Sequence, residues 1–145
     1  MSIVHLYGQD VNGNFVPVRV DTTGGISKAA QTSLWSYAAA ASGLLNTALA
    51  VTIANAGGAG LRSYINAIQI SADVLTVATE VVVRDGASGT VLWRTKIGTA
   101  GLINGLSINF ATPLRSSPNT LLEVATLTAT VAGAVYFNAQ GYVGA

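Results

Sequence analysis

From Ser33 to the C-terminus the sequence is cut roughly every ten residues by Gly, Asn or Pro, and between the cuts apolar and polar side chains alternate with a period of two. Alternation of that kind places successive side chains on opposite faces of an extended strand, so each segment can bury one face only as part of a sheet. In residues 80–84 the pattern points Glu80 and Arg84 outward and Val81 and Val83 inward. In residues 91–97, Val91, Trp93, Thr95 and Ile97 share a face opposite Leu92, Arg94 and Lys96. Leu106, Ile108 and Phe110 alternate with Gly105, Ser107 and Asn109. The last run sets Val135, Phe137, Ala139 and Val143 against Tyr136, Asn138, Gln140 and Tyr142. Between the first two runs, Asp85-Gly86 and Ser88-Gly89 supply the positive φ angles that a hairpin connection needs. In residues 35–53 the Ala and Leu content favours helix, but Ser42-Gly43 breaks the segment and Val51-Thr52-Ile53 reads as strand, which predicts two strands with a loop between them. After the glycine-rich turn at residues 55–60 another strand runs through residues 62–70. About eight strands in roughly 110 residues predict an all-β fold, a jelly-roll-like antiparallel β-sandwich.

The first 32 residues differ in kind. They hold turn-forming residues (Gly8, Asp10, Asn12-Gly13-Asn14, Pro17, Gly24-Gly25) around one short extended run, residues 15–20. Such a segment cannot bury a core by itself. The expected organisation is therefore an extended N-terminal arm, residues 1–32, that anchors the chain to whatever it lies on, and a sandwich domain, residues 33–145.

Half of the chain is hydrophobic, whereas only seven basic and six acidic residues are present in 145. A soluble domain ordinarily devotes about a quarter of its residues to charge. The deficit predicts a surface that is largely covered by other protein, as in a subunit of an assembly. The apolar stretch at residues 37–54 is interrupted by Ser42, Gly43, Asn46 and Thr47, so it does not read as a membrane span, and the N-terminus lacks the basic and apolar blocks of a secretory leader. There is no cysteine, hence no disulfide framework. A net charge of +1 without a basic stripe predicts no nucleic-acid partner.

A search for catalytic chemistry is mostly negative. His5 sits in the arm away from carboxylates, and Asp73 and Asp85 read as turn caps; a glycosidase would need two of Asp73, Asp85 and Glu123 facing each other across a cleft. Asp10, Asn12, Asn14 and Asp21 echo a calcium loop, but Phe15 stands where that loop needs glycine. Gly57-Gly58-Ala59-Gly60 lacks the lysine and following helix of a phosphate-binding loop. No catalytic residue, metal ligand or cofactor is predicted. Two features are suited to binding. The face Tyr136, Asn138, Gln140 and Tyr142 combines amphipathic rings with amides, which fits a wet subunit interface or a sugar. The charged group Arg62, Arg84, Arg94, Lys96, Arg115 and Glu123 fits ion pairs across a sheet or between subunits, or a solvated strand face.

In the segments YGQDVNGNFVPVRVDTTGGI, WSYAAAASGLLNTALAVTI, RDGASGTVLWRT, TPLRSSPNTLLEV and VYFNAQGY the chain resembles small virion structural proteins of tailed bacteriophages, capsid decoration (cement) proteins among them, and the resemblance extends over most of its length. The resemblance implies a non-enzymatic homotrimer on the outer surface of the capsid, made in the bacterial cytoplasm. Its partners would be the major capsid protein and itself, with no membrane involved. The arm residues Phe15, Val16, Pro17, Val18, Arg19 and Val20 would do the anchoring. A tail or baseplate protein, or a carbohydrate-binding module, is the alternative.

Overall fold

The computed structural model describes residues 7–9, 15–17, 33–44, 50–130 and 132–145. Among the described residues there is no helix, and ten strands are present: β1 (Tyr7–Gln9), β2 (Phe15–Pro17), β3 (Ser33–Tyr37), β4 (Val51–Ala54), β5 (Arg62–Ala72), β6 (Thr79–Asp85), β7 (Thr90–Ile97), β8 (Leu102–Arg115), β9 (Leu122–Thr126) and β10 (Val135–Gly144). The chain divides into two compact units, Met1–Gln31 and Thr32–Ala145. In the first, β1 and β2 form an antiparallel ribbon with Tyr7 opposite Pro17 and Gln9 opposite Phe15. Of the extended run expected at residues 15–20, Phe15, Val16 and Pro17 thus have a strand partner within their own unit. Val18, Arg19, Val20, His5 and the residues of the calcium-like pattern other than Phe15 lie outside the described residues.

The second unit is the expected all-β sandwich. One four-stranded sheet has the order β3-β10-β5-β8 and the other β4-β9-β6-β7, with every neighbouring pair antiparallel. The pairs β6/β7, β5/β8, β4/β9 and β3/β10 are nested inside one another, so the unit is a single ribbon of four strands out and four back, rolled until its successive rungs alternate between two sheets. That strand order is the jelly roll's. Its physical logic is that each rung has one apolar face, and rolling presses those faces together.

Inner faces match the alternation read from the sequence in most strands. Val135, Phe137 and Ala139 of β10, Val81 and Val83 of β6, Leu122 and Val124 of β9 and Ile97 of β7 are all buried in one cluster, with Trp93 against Phe137 at a ring distance of 6.5 Å. Leu106 differs from expectation: it lies opposite Ile70 on the edge strand β8 and stays 42% exposed, whereas Ile108 and Phe110 pack on the core. Strand β6 also departs from the simple pattern, because Val82 is as buried as its neighbours. It lies on the face away from the core, between Arg94 and Ala125 across the sheet and Glu80 and Arg84 along its own strand.

Two local devices shape the sheets. In β5 the buried isoleucines fall at 65, 68 and 70, a spacing that breaks period two; Asn66 is the extra residue, with Ile65 paired to Gly141 and Ala67 to Gln140. Opposite that bulge, residues 110–113 of β8 bow out between Leu114 and Asn109, which accommodates the missing N–H of Pro113. In the hairpin between β6 and β7 the positive φ angles fall on Gly86 (88°) and Ser88 (55°). Gly89 serves differently from expectation: a Cβ there would run into the carbonyl oxygen of Asp85.

The charged group forms ion pairs across the second sheet. Arg84 and Glu123 are direct partners on β6 and β9, 3.2 Å apart, with side chains 18% and 6% exposed, and the same Glu123 Oε1 accepts the Ser88 N–H at 2.7 Å. Arg94 and Glu80 meet at 3.5 Å in the open, and Arg62 donates to the carbonyl of Ser116. Burial separates the two pairs energetically. Arg84→Met is expected to cost about 3 kcal/mol or more, because it leaves the Glu123 carboxylate enclosed without its counter-charge. Arg94→Ala should cost under about 1 kcal/mol. Phe137→Ala should cost about 3–5 kcal/mol through the cavity it opens. Urea denaturation monitored by tryptophan fluorescence checks all three, and equal losses in the two arginine variants would contradict the ranking.

Candidate functional site

The outer face of the β3-β10-β5-β8 sheet is built by register. Since Val135, Phe137 and Ala139 face inward, Tyr136, Asn138, Gln140 and Tyr142 face outward, and the pairing carries each across to its neighbours. One row across the sheet is Asn138, Gln69 and Ser107; the next is Ser36, Gln140, Ala67 and Asn109; the third is Leu34, Tyr142, Tyr64 and Arg115. Ala67 is the only methyl in the second row, flanked by two amides, and over it lies a hollow of about 430 Å³. Its lining includes Ser36, Gln69, Ser107, Asn109, Asn138 and Gln140. A hollow of about 310 Å³ adjoins it through Gln69, Ser107 and Asn138, and another of about 430 Å³ through Ser36 and Gln140. Among the described residues no carboxylate, amine or guanidinium lines any of the three.

The four outward residues of β10 take different parts. Asn138 Oδ1 accepts the backbone N–H of Ala39 at 2.9 Å, which secures the start of the loop after β3 and leaves the amide nitrogen free to donate. Gln140 lines two of the hollows. Tyr142 stacks on Tyr64 at 4.6 Å with planes 7° apart, and the Tyr64 hydroxyl donates to the Ala145 carbonyl. Tyr136 lies beyond the hollows, its hydroxyl 3.5 Å from Asp73 Oδ2. The sheet therefore gathers Asn138 and Gln140 at the hollow and places the two tyrosines to either side along the strand.

Ser36, Gln69, Ser107 and Asn109 belong to the same surface and were not singled out in the sequence. Ser107 and Asn109 were recognised as the polar phase of β8, but their position beside Gln69 and Gln140 depends on cross-strand register. Gln69 was hidden by the bulge at Asn66, which resets the phase of β5.

The carboxylates considered for catalysis are engaged in structural bonds. Asp85 accepts the Ser117 N–H at 2.8 Å and its hydroxyl at 2.6 Å, Asp73 accepts the Ala134 N–H, and Glu123 holds Arg84 and Ser88. Asp73 lies in the loop entering β6 and Asp85 is that strand's last residue, so about 20 Å of sheet separates their ends. A glycosidase pair is about 5–10 Å apart. Among the described residues no three His, Cys, Asp or Glu side chains gather at one point. Of the arm residues, Phe15, Val16 and Pro17 form β2, whose edge away from β1 has no partner in that two-stranded sheet.

No protein-family model and no curated protein matches the chain. Among solved structures, it is similar to a component of the infectious bursal disease virus Gt strain, at 14% identity with 97% of this chain and 36% of that one covered and a TM-score of 0.22. It is also similar to a chain of the cyanophage Pam1 capsid asymmetric unit, at 17% identity over 81% of this chain and 89% of that one, with a TM-score of 0.48.

Proposed function

We propose that the chain is a non-enzymatic structural subunit of a phage virion that decorates the outer surface of the capsid, binding across seams between coat subunits and stabilising the expanded head. The observation that carries this reading is the state of the sheet edges. Strands β3 and β8 are the two borders of the β3-β10-β5-β8 sheet, and they present Leu34 (80% exposed), Ile103 (75%) and Leu106 to the outside. Proteins that live alone guard such edges with charge, proline or short strands. Here β8 is fourteen residues long and has neither a charge nor a proline before Pro113. Among the described residues no strand pairs with that edge, which suits it to pairing with another chain.

Two contacts follow from it. Self-association through the open borders would make the homotrimer, and the N-terminal unit would reach the major capsid protein, adding the free edge of β2 to a sheet of the coat by strand addition. A protein that binds only the expanded shell stabilises that state by its binding free energy, with no reaction required. Three joined subunits raise the effective concentration of each anchor, so contacts that are weak singly hold together. The protein would be made in the host cytoplasm and end on the virion, without cofactor, nucleic acid or membrane.

Deletion of residues 1–25 is expected to leave a folded sandwich that no longer decorates capsids, since residues 32–145 have their own core. Adding the truncated protein to expanded capsids that lack it and measuring occupancy by cryo-electron microscopy checks this, and full occupancy would refute the anchoring role. Ile103→Lys combined with Leu106→Lys should shift the native mass from trimer towards monomer without loss of fold. An unchanged trimer would move the self-contact away from the β8 border.

A further inference from the structure

We infer that the outer face of the β3-β10-β5-β8 sheet is a binding site for a neutral oligosaccharide, centred on the hollow over Ala67. The central hollow lies apart from the borders used in the capsid reading, while the two flanking hollows reach Leu34, Ile103 and Leu106 of those borders. The first argument is what the polar side chains are not doing. Among the described residues, the side chains of Ser36, Gln69, Ser107, Asn109 and Gln140 make no hydrogen bond within the protein, and Asn138 uses only its carbonyl oxygen, on Ala39. On the opposite sheet, by contrast, Arg84, Glu123, Glu80 and Arg94 satisfy one another. A row of amides and hydroxyls with open donors and acceptors, converging on a concavity, is what a polyhydroxylated ligand needs: each sugar hydroxyl both donates and accepts, and a carboxamide offers one donor and one acceptor to a pair of adjacent hydroxyls.

The second argument is shape. The central hollow has the volume of a small-ligand site, and it shares walls with a hollow on each side, so the concavity runs diagonally over the sheet from the β3 border to the β8 border. Neighbouring strands are roughly 4.8 Å apart, comparable to one pyranose ring, and the successive polar groups Ser36, Gln140 and Asn109 sit on three different strands of one row. A chain of sugars, rather than a single one, fits that arrangement. Tyr37 contributes to the wall of the central hollow, and the stacked Tyr64–Tyr142 pair stands in the middle of the next row, beside the linings of the hollows, where an aromatic face can meet the apolar face of a sugar ring that extends past Gln140.

The third argument is charge. Among the described residues no cationic side chain lines the hollows, so a sialic or uronic acid would find no counter-charge from them and would lose its hydration uncompensated. The ligand is therefore a neutral glycan. A protein partner fits the centre of this face poorly, because interface cores are built from apolar and aromatic anchors, and here the exposed aliphatic residues are at the borders.

Affinity electrophoresis of the full chain through gels containing dextran, mannan, galactan or laminarin, with alginate as the anionic control, tests the assignment. At least one neutral polymer should retard the protein and alginate should not. The double variant Gln69→Ala/Asn109→Ala, in which no intramolecular bond is lost, should weaken the retardation at least about tenfold, and Ala67→Met, which fills the floor of the hollow, should do the same. Arg94→Ala, on the other sheet, should leave it unchanged. Near-ultraviolet circular dichroism establishes that the variants are folded. The inference is overturned if no neutral polymer retards the protein, if alginate alone does, or if the face variants bind as the parent does. It is also overturned if those variants change the oligomeric mass instead, which would make the face a protein interface.

Discussion

The sandwich is organised around strand β10, which is hydrogen-bonded on both sides and carries the largest fully buried side chain, Phe137. Because β10 lies between β3 and β5, burying Val135, Phe137 and Ala139 settles the orientation of every other residue in the strand and, through the register, of the residues that face them on both neighbours. The outward row Asn138, Gln69 and Ser107 is a consequence of the inward row. Sheets transmit constraint in this manner because side chains alternate strictly, so a slip of one residue would exchange core for solvent along the whole strand.

Where that alternation is broken, the break has a use. The bulge at Asn66 lets β5 present Ile65 and Ile68 to the same core and turns Ala67 outward between Gln140 and Asn109. A larger side chain in that register would fill the hollow. Gly141 shows the opposite limit, a place where β10 approaches its neighbours so closely that a Cβ would strike the Tyr64 carbonyl and the Trp35 ring. Both positions are decided by how near one backbone or side chain comes to another across the sheet.

The few charges of the sandwich are distributed unevenly, and this ties the fold to the functional reading. Glu80, Arg84, Arg94, Lys96 and Glu123 are on the strands of one sheet, where four of them pair, while the centre of the other sheet is neutral and its borders are aliphatic. The Arg84–Glu123 pair of the β4-β9-β6-β7 sheet is enclosed, while its Arg94–Glu80 pair lies in the open. The β3-β10-β5-β8 sheet instead carries the long border strand β8 and a face of amides and hydroxyls, the two features on which the proposed contacts rest.

How much of this was legible in the sequence follows from which interactions are local. Period two and turn residues are properties of short segments, so the all-β class, about eight strands, the Asp85-Gly86 hairpin and the inward sets Val81/Val83 and Val135/Phe137/Ala139 could be read directly. The polar phase of β10, with Asn138 and Gln140, was legible for the same reason. What the segment cannot contain is its partner. The burial of Val82 on the outer face, the pairing of Phe15–Pro17 with Tyr7–Gln9, the exposure of Leu106, the Arg84–Glu123 bond and the rows joining Asn138 to Gln69 and Gln140 to Asn109 depend on which strands lie side by side and in what register. The sequence by itself determined that there would be strands with one apolar face; only the rolled ribbon decided which polar residues would share the other, because that choice is made between residues far apart in the chain by the packing of a common core.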